Sequence, residues 1–228
     1  GMHTEFGMAM QGLMRQAGAV ASAAAALLSV LLPLALAGCS DPQAADGVGS
    51  AREAIAANNV EAAKLQLKTA LQADPNHVEA HFLLGQLLHQ EGNMVGAELE
   101  LRQALQGQYQ PDKVVPPLAE AMLASGKALL VVQQFGATQL QDAAAQLRLR
   151  TALAQAEVAS GRLDDARRHV DELLAVQPNL VPALLLRARL VAEDGKRDDA
   201  LAQVNQLLQQ QPDNTDAWLL KGELLSRA

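Results

Sequence analysis

Residues 78–111 read VEAHFLLGQLLHQEGNMVGAELELRQALQGQYQP, and residues 181–214 read VPALLLRARLVAEDGKRDDALAQVNQLLQQQPDN. Each stretch holds two apolar-periodic helical segments broken by one glycine, Gly92 in the first and Gly195 in the second. The glycine recurs at Gly126 and Gly161, so the four stand 34, 35 and 34 residues apart. A fixed period of this length marks stacked helix-turn-helix units, each leaving an apolar face that only its neighbour covers. Glycine recurs because the turn between the two helices calls for φ > 0, which a residue without Cβ adopts at little cost.

Placing that glycine at position 15 of a 34-residue unit starts the units near Ala44, Val78, Asp112, Leu147, Val181 and Thr215. The register can be checked at columns not used to set it. Position 8 holds Ala51, Gly85, Ala119, Ala154, Ala188 and Gly222. Position 20 holds Ala63, Ala97, Val131, Ala166 and Ala200, and position 32 gives Pro75, Pro178 and Pro212. Small residues at 8 and 20 allow the two helices of a unit to approach closely, and the prolines stop the second helix before the next unit begins.

This column pattern resembles the tetratricopeptide repeat, which implies an all-α fold, an α-solenoid (superhelix) of about five to six helix-turn-helix repeats. The first unit is degraded in its first helix and carries Asn58 at the glycine position, a residue that tolerates the same conformation. The third unit, 112–146, is irregular: it is 35 residues long, Val131 is oversized for its column, and the second helix fails at Phe135-Gly136. The 135–140 stretch is therefore expected to be the most mobile part of the array. The sixth unit stops after one helix, AWLLKGELLSRA, which either caps the array or continues into a longer one; truncation is the favoured expectation.

The front end carries a different signal. Residues 17–38, AGAVASAAAALLSVLLPLALAG, contain no charge, follow Arg15 and run into Leu36-Ala37-Gly38-Cys39. A basic start, an apolar stretch and a small-residue cleavage site describe an export signal. The last four residues match the bacterial lipobox, and this resemblance to lipoprotein signals implies lipidation at Cys39. The segment is also long enough to span a bilayer uncleaved, and a lone cysteine can be a small buried hydrophobe. The natural start is expected at Met14. The expected organisation is a leader and signal peptide over 1–38, a lipidated polar tether over 39–49 and the repeat array over 50–228. Ser40 after the cysteine points to outer-membrane sorting, facing the periplasm of a Gram-negative bacterium.

Cleavage before Cys39 removes only Glu5 and Arg15 among the charged residues, so the net charge of −7 is kept. An acidic chain argues against nucleic acid, whose binding depends on neutralising phosphates; contact with a membrane is assigned to the lipid. One cysteine allows no internal disulfide. Half of the residues are hydrophobic but only 2% are aromatic, so alanine and leucine dominate, as closely packed helices require.

Several strings narrow the resemblance: AAKLQLKTALQ at 62–72, GAELELR at 96–102, VVPPLA at 114–119 and WLLKG at 218–222. With the lipobox they resemble the amino-terminal part of the tetratricopeptide lipoproteins of the PEP-CTERM/exosortase system. That family accompanies exopolysaccharide and protein-sorting genes, which implies a scaffold in exopolysaccharide production or export, or in surface-protein sorting. Its members are usually longer arrays. A pilotin or outer-membrane-assembly lipoprotein is the alternative, and a carbohydrate-binding module a weaker one, since only four aromatic residues follow Cys39.

No phosphate loop, cysteine pair or His-Glu-x-x-His motif is present, so neither an enzyme nor a cofactor is expected. His77 and His81 share a helical spacing that metal sites use, but two nitrogens leave such a site short of ligands; structural roles are expected. Asp164-Asp165 and Asp198-Asp199 each open a second helix, where negative charge meets the helix dipole favourably.

In the repeat family the first helices line a groove through positions 2, 5, 9 and 12. Carried over, the resemblance implies a protein- or peptide-binding groove with Arg52 and Ile55, then Phe82, Gln86 and His89, then Glu120. It continues through Thr151 and Gln155, Leu185 and Arg189, and Leu219 and Glu223. Phe82 either faces a partner there or packs on the adjoining unit. The Lys and Asn pattern with which some family members clamp a peptide carboxylate is absent from these positions.

Metabolic labelling with a palmitate analogue is expected to mark the protein, and Cys39→Ser to abolish both the label and membrane fractionation. Unlabelled protein in the cytosol would overturn the anchor.

Overall fold

A computed structural model describes residues 42–226; residues 1–38, the expected signal segment, and Cys39 lie outside them. The described chain forms eleven helices and no strand. They are α1 (Pro42–Ala56), α2 (Val60–Ala73), α3 (Val78–Gln90), α4 (Met94–Gln106), α5 (Pro111–Ala124) and α6 (Ala128–Phe135). After them come α7 (Ala143–Ala159), α8 (Leu163–Val176), α9 (Val181–Glu193), α10 (Arg197–Gln210) and α11 (Thr215–Ser226). Odd-numbered helices are first helices of a unit and even-numbered ones are second helices.

The glycine turns are built alike. Gly92, Gly126, Gly161 and Gly195 have φ of 77–80°, and Asn58 takes the same place at 55°. At Gly92 the glycine amide donates to the His89 carbonyl and the next amide, of Asn93, donates to that of Leu88. This double closure satisfies carbonyls that the helix end leaves open. Asn59 and Asn93 then cap the following helix by accepting from the amides of Ala62 and Gly96.

Turns between units divide by their sequence. Asp74, Gln177 and Gln211 end their helices with φ between −131° and −136°, the extended backbone imposed on a residue that precedes proline. The second unit has Tyr109 in the proline column. There the turn closes through Gln108 at φ 61°, with Tyr109 donating to the Ala104 carbonyl, a device the column pattern did not reveal.

Close helix approach holds at the small-residue columns. Ala51, Ala119, Ala154, Ala188, Ala63, Ala97, Ala166 and Ala200 are all essentially fully buried. A Cβ added to Gly85 would lie 2.8 Å from Leu101 Cγ and 3.1 Å from the Leu101 backbone nitrogen. The apolar core is a chain of four clusters, each bridging neighbouring units.

One expectation needs correction. The array begins at Pro42, not at residue 50, because most of the stretch read as a polar tether forms the first half of α1. Its glycines misled the reading: Gly47 is buried against α2, where an added Cβ would meet Ala70 Cβ at 3.1 Å, and Val48 is buried with Ala51. The third unit is irregular as expected, with α6 only eight residues long against 13 or 14 for the other second helices. Yet it is not loosely packed. Val131 and Phe135 are buried in the largest of the four clusters.

The break itself has identifiable causes. A Cβ at Gly136 would lie 2.6 Å from the Val132 carbonyl oxygen, so the tight stop after Phe135 requires glycine. Asp112 then accepts from the amides of Gln141 (3.0 Å) and Asp142 (3.1 Å), and Gln146 Oε1 accepts from that of Leu140 (2.7 Å). These bonds tie down the far end of the 135–140 stretch and start α7 at Ala143, a turn earlier than Leu147. Pro116 and Pro117 lie buried inside α5, where their missing N–H groups deprive the carbonyls of Asp112 and Lys113 of helical partners.

Two buried carboxylates lock second helices to their surroundings. Burial pushes the Glu98 carboxyl up, but hydrogen bonds from Lys127 (2.8 and 2.9 Å) and Arg102 (3.0 Å) outweigh it and hold the group below the ordinary carboxylate range. Glu157 Oε2 lies 2.8 Å from His169 Nδ1.

Gly85→Leu is expected to destabilise the protein by about 2 kcal/mol or more, since over-packing a tight contact costs about 1–3 kcal/mol. Gly222 shares the same repeat position but has nothing within 4 Å of an added Cβ, so Gly222→Leu is expected not to lower the melting temperature. Equal losses in thermal melts of the two variants would refute the register.

Candidate interaction groove

The first helices of adjacent units lie side by side, with α5 against α7, α7 against α9 and α9 against α11. Positions 2, 5, 9 and 12 of these helices therefore form one face. Its amino-terminal half is a ladder of ion pairs between units. Arg52 makes two bonds to the carboxylate of Glu79, which with its charge raises the guanidinium above its ordinary pKa. Glu120 takes two bonds from Arg148, and His89 Nε2 lies 3.0 Å from Glu120 Oε2 without the alignment of a hydrogen bond.

Phe82 does not face this groove. It is 5% exposed and stacks on Tyr109, with ring centroids 4.9 Å apart and an interplanar angle of 25°. Tyr109 supplies the lid because it occupies the column where other units have proline, and burial together with the nearby Glu79 raises its phenol pKa. Gln86 is exposed beside the ladder and Ile55 is half-buried. Thr151 donates to the Leu147 carbonyl of its own helix (2.9 Å), so its hydroxyl serves α7.

The carboxy-terminal half is open. Gln155, Leu185, Arg189, Leu219 and Glu223 together border a pocket of about 400 Å³ between α7, α9 and α11. Leu185 and Leu219, the latter 61% exposed, present apolar surface, with Leu186 and Leu220 beneath. Arg189 Nη2 donates to Glu223 Oε2 at 2.7 Å across the rim. Val158, Pro182 and Asp216 also line the pocket. They stand at positions 12, 2 and 2 of their units, so the register contained the signal for them.

His77, His81, Asp164 and Asp165 all have partners within the fold. His77 caps α3, accepting from the Ala80 amide, while His81 lies between Glu100 Oε2 (2.6 Å) and the Pro75 carbonyl (2.9 Å). Asp164 and Asp165 sit in the first turn of α8, paired with Arg167 and with Arg162 and Arg168. Among the described residues no group of three or more His, Cys, Asp or Glu converges as metal ligands. No described helix is long and apolar enough to cross a membrane.

Stacked helix pairs sharing a lined groove define a repeat protein that binds other proteins or peptides. The sequence matches the tetratricopeptide repeat over residues 48–112, 151–196 and 185–228, more than half of its length, and the chain belongs to that family. The internal stretch left unmatched, 113–150, overlaps the irregular third unit. Among curated proteins, none matches. Solved structures share the fold at low identity. YrrB, described as a tetratricopeptide protein with an unusual peptide-binding site, is 17% identical with a TM-score of 0.61, covering 78% of this chain and 92% of that one. A tetratricopeptide repeat protein from Parabacteroides merdae is 16% identical with a TM-score of 0.59, covering 80% of this chain and 72% of that one. PilW, a type IV pilus biogenesis factor, is 18% identical with a TM-score of 0.53, covering 82% and 88%.

Exposed ion pairs contribute little to stability. A double-mutant cycle on Arg189 and Glu223 is expected to give a coupling of about 0.2–1 kcal/mol that shrinks in high salt. A coupling well above that range would show that the pair is part of the fold's framework instead of a solvated rim.

Proposed function

We propose that the chain is a lipid-anchored, periplasm-facing interaction scaffold at the outer membrane, serving exopolysaccharide production or export or the sorting of PEP-CTERM surface proteins. The observation that carries the scaffold reading is the open half of the groove. Apolar Leu185 and Leu219 lie beside a charged rim, so an extended segment or helix with one apolar anchor could bury that anchor and meet Arg189, Glu223 or Gln155 with its polar groups. The amino-terminal half offers less, because its apolar residues at position 5, Val48, Phe82 and Pro116, are buried. Binding is therefore assigned to the last three first helices, without catalysis.

The anchor and the choice of pathway rest on the lipobox at Cys39 and on the sequence strings, including the Pro116-Pro117 step. A pilus-assembly lipoprotein is the second reading; the fold shared with PilW is compatible with it.

A photo-crosslinking residue placed at Leu219 or Leu185 in cells is expected to trap one protein, identifiable by mass spectrometry, that a probe at Ala202 on α10 does not trap. Leu219→Asp should abolish co-purification of that protein. A partner encoded with polysaccharide or sorting genes supports the first reading, a pilus component the second, and equal capture at Ala202 would overturn the groove.

A further inference from the structure

The outward face of the second helices changes character along the array. Positions 18, 22 and 25 share one side of a second helix, since they are spaced by four and three residues. They read Glu61, Leu65 and Lys68 in the first unit and Val95, Leu99 and Arg102 in the second. In the third they read Leu129, Gln133 and Gly136, with Leu130 beside them. In the fourth and fifth they become Asp164, Arg168 and Asp171, then Asp198, Ala202 and Asn205. The structure leaves the apolar residues in the open: Leu65 is 64% exposed, Val95 75%, Leu99 59%, Leu129 50% and Leu130 49%.

Four large apolar side chains at positions 18 and 22 of three successive second helices, with Leu130 alongside, form a stripe, not scattered exposure. None contributes to the four core clusters. The stripe carries both signs at its amino-terminal end, where exposed Glu61 pairs with Lys64, and is cationic from there on. Lys68 is exposed beside Leu65, and Arg102 and Lys127 bracket Leu99, while their counter-charge Glu98 is buried beneath them. Where the stripe ends, the aspartates begin, and Asp164 is fully exposed.

We infer that this stripe on α2, α4 and α6 rests on the surface of an anionic phospholipid bilayer. A helix surface with leucine and valine inserted at headgroup level and long cationic side chains reaching the phosphates is the arrangement that binds a membrane interface. The inference rests on the lipid-anchor reading, and two features tie it to lipid instead of a protein partner. Only Ser40 and Asp41 separate Cys39 from the start of α1, so a lipid there holds these units, and not the acidic ones, next to the bilayer. The large apolar residues also stop at the fourth unit, where positions 18 and 25 become Asp164 and Asp171 on either side of Arg168. A surface-bound first half would leave the open groove of α7, α9 and α11 projecting away from the lipid.

The test uses the full chain purified from membranes and returned to vesicles of phosphatidylethanolamine and phosphatidylglycerol. Because Cys39 is the single cysteine, Leu65→Cys, Leu99→Cys, Leu130→Cys and the control Ala202→Cys each place one environment-sensitive maleimide dye. Dyes at 65, 99 and 130 should shift to the blue and lose intensity when the vesicles carry doxyl-labelled lipid, whereas the dye at 202 should do neither; circular dichroism confirms folding of each variant. If the parent chain takes no dye and pellets with membranes but all four probes report water, the anchor stands and the membrane-facing stripe is refuted. If the parent takes the dye and stays soluble, both are refuted. Blue shifts at 65, 99 and 130 that persist without vesicles would indicate a protein or self-association surface and also overturn the proposal.

Discussion

The array depends on how closely two helices of a unit can approach. At Gly85 there is no room for a single carbon atom against Leu101, and alanine fills the matching columns in most of the other units. Everything larger follows from that spacing. Because the paired helices sit close, leucines and valines one turn away interlock, and each unit offers its neighbour a continuous apolar face. The stabilisation is then a sum over units and their interfaces, with no central core on which the rest leans.

The third unit shows how such a design absorbs an irregularity. Its first helix carries two prolines in its interior and its second stops after two turns, losses that would weaken an isolated hairpin. Compensation comes from three directions. Phe135 fills the space beneath the break, α7 gains an extra turn, and Asp112 gathers two amides from the incoming strand of chain. The buried Glu98 adds a fourth tie by joining α4 to the start of α6 through Lys127.

The fold was legible because its determinants are local and repeat. A glycine at φ > 0 and a small residue at a fixed column leave the same mark in every unit. The errors have a common origin, residues whose role is set by a partner far along the sequence. Gly47 reads as a breaker until Ala70 is seen packing against it. Phe82 reads as a groove residue until Tyr109, sitting where a proline is expected, is seen to cover it. The groove was half legible. Columns 2, 5, 9 and 12 name its lining, but they do not reveal that position 5 is buried as Val48, Phe82 and Pro116 in the first three units while Leu185 and Leu219 stay accessible in the last two.

The four clusters also dictate an order of assembly. They cover residues 48–87, 82–156, 154–190 and 188–224, each closing about where the next begins. No apolar face waits for a segment from the opposite end of the chain, so loop closure stays short throughout. A polypeptide emerging amino-terminus first, from a ribosome or through a secretion channel, can settle one unit before the next arrives. The longest wait falls at the second cluster, which stays incomplete until α7 has emerged and docked across the break.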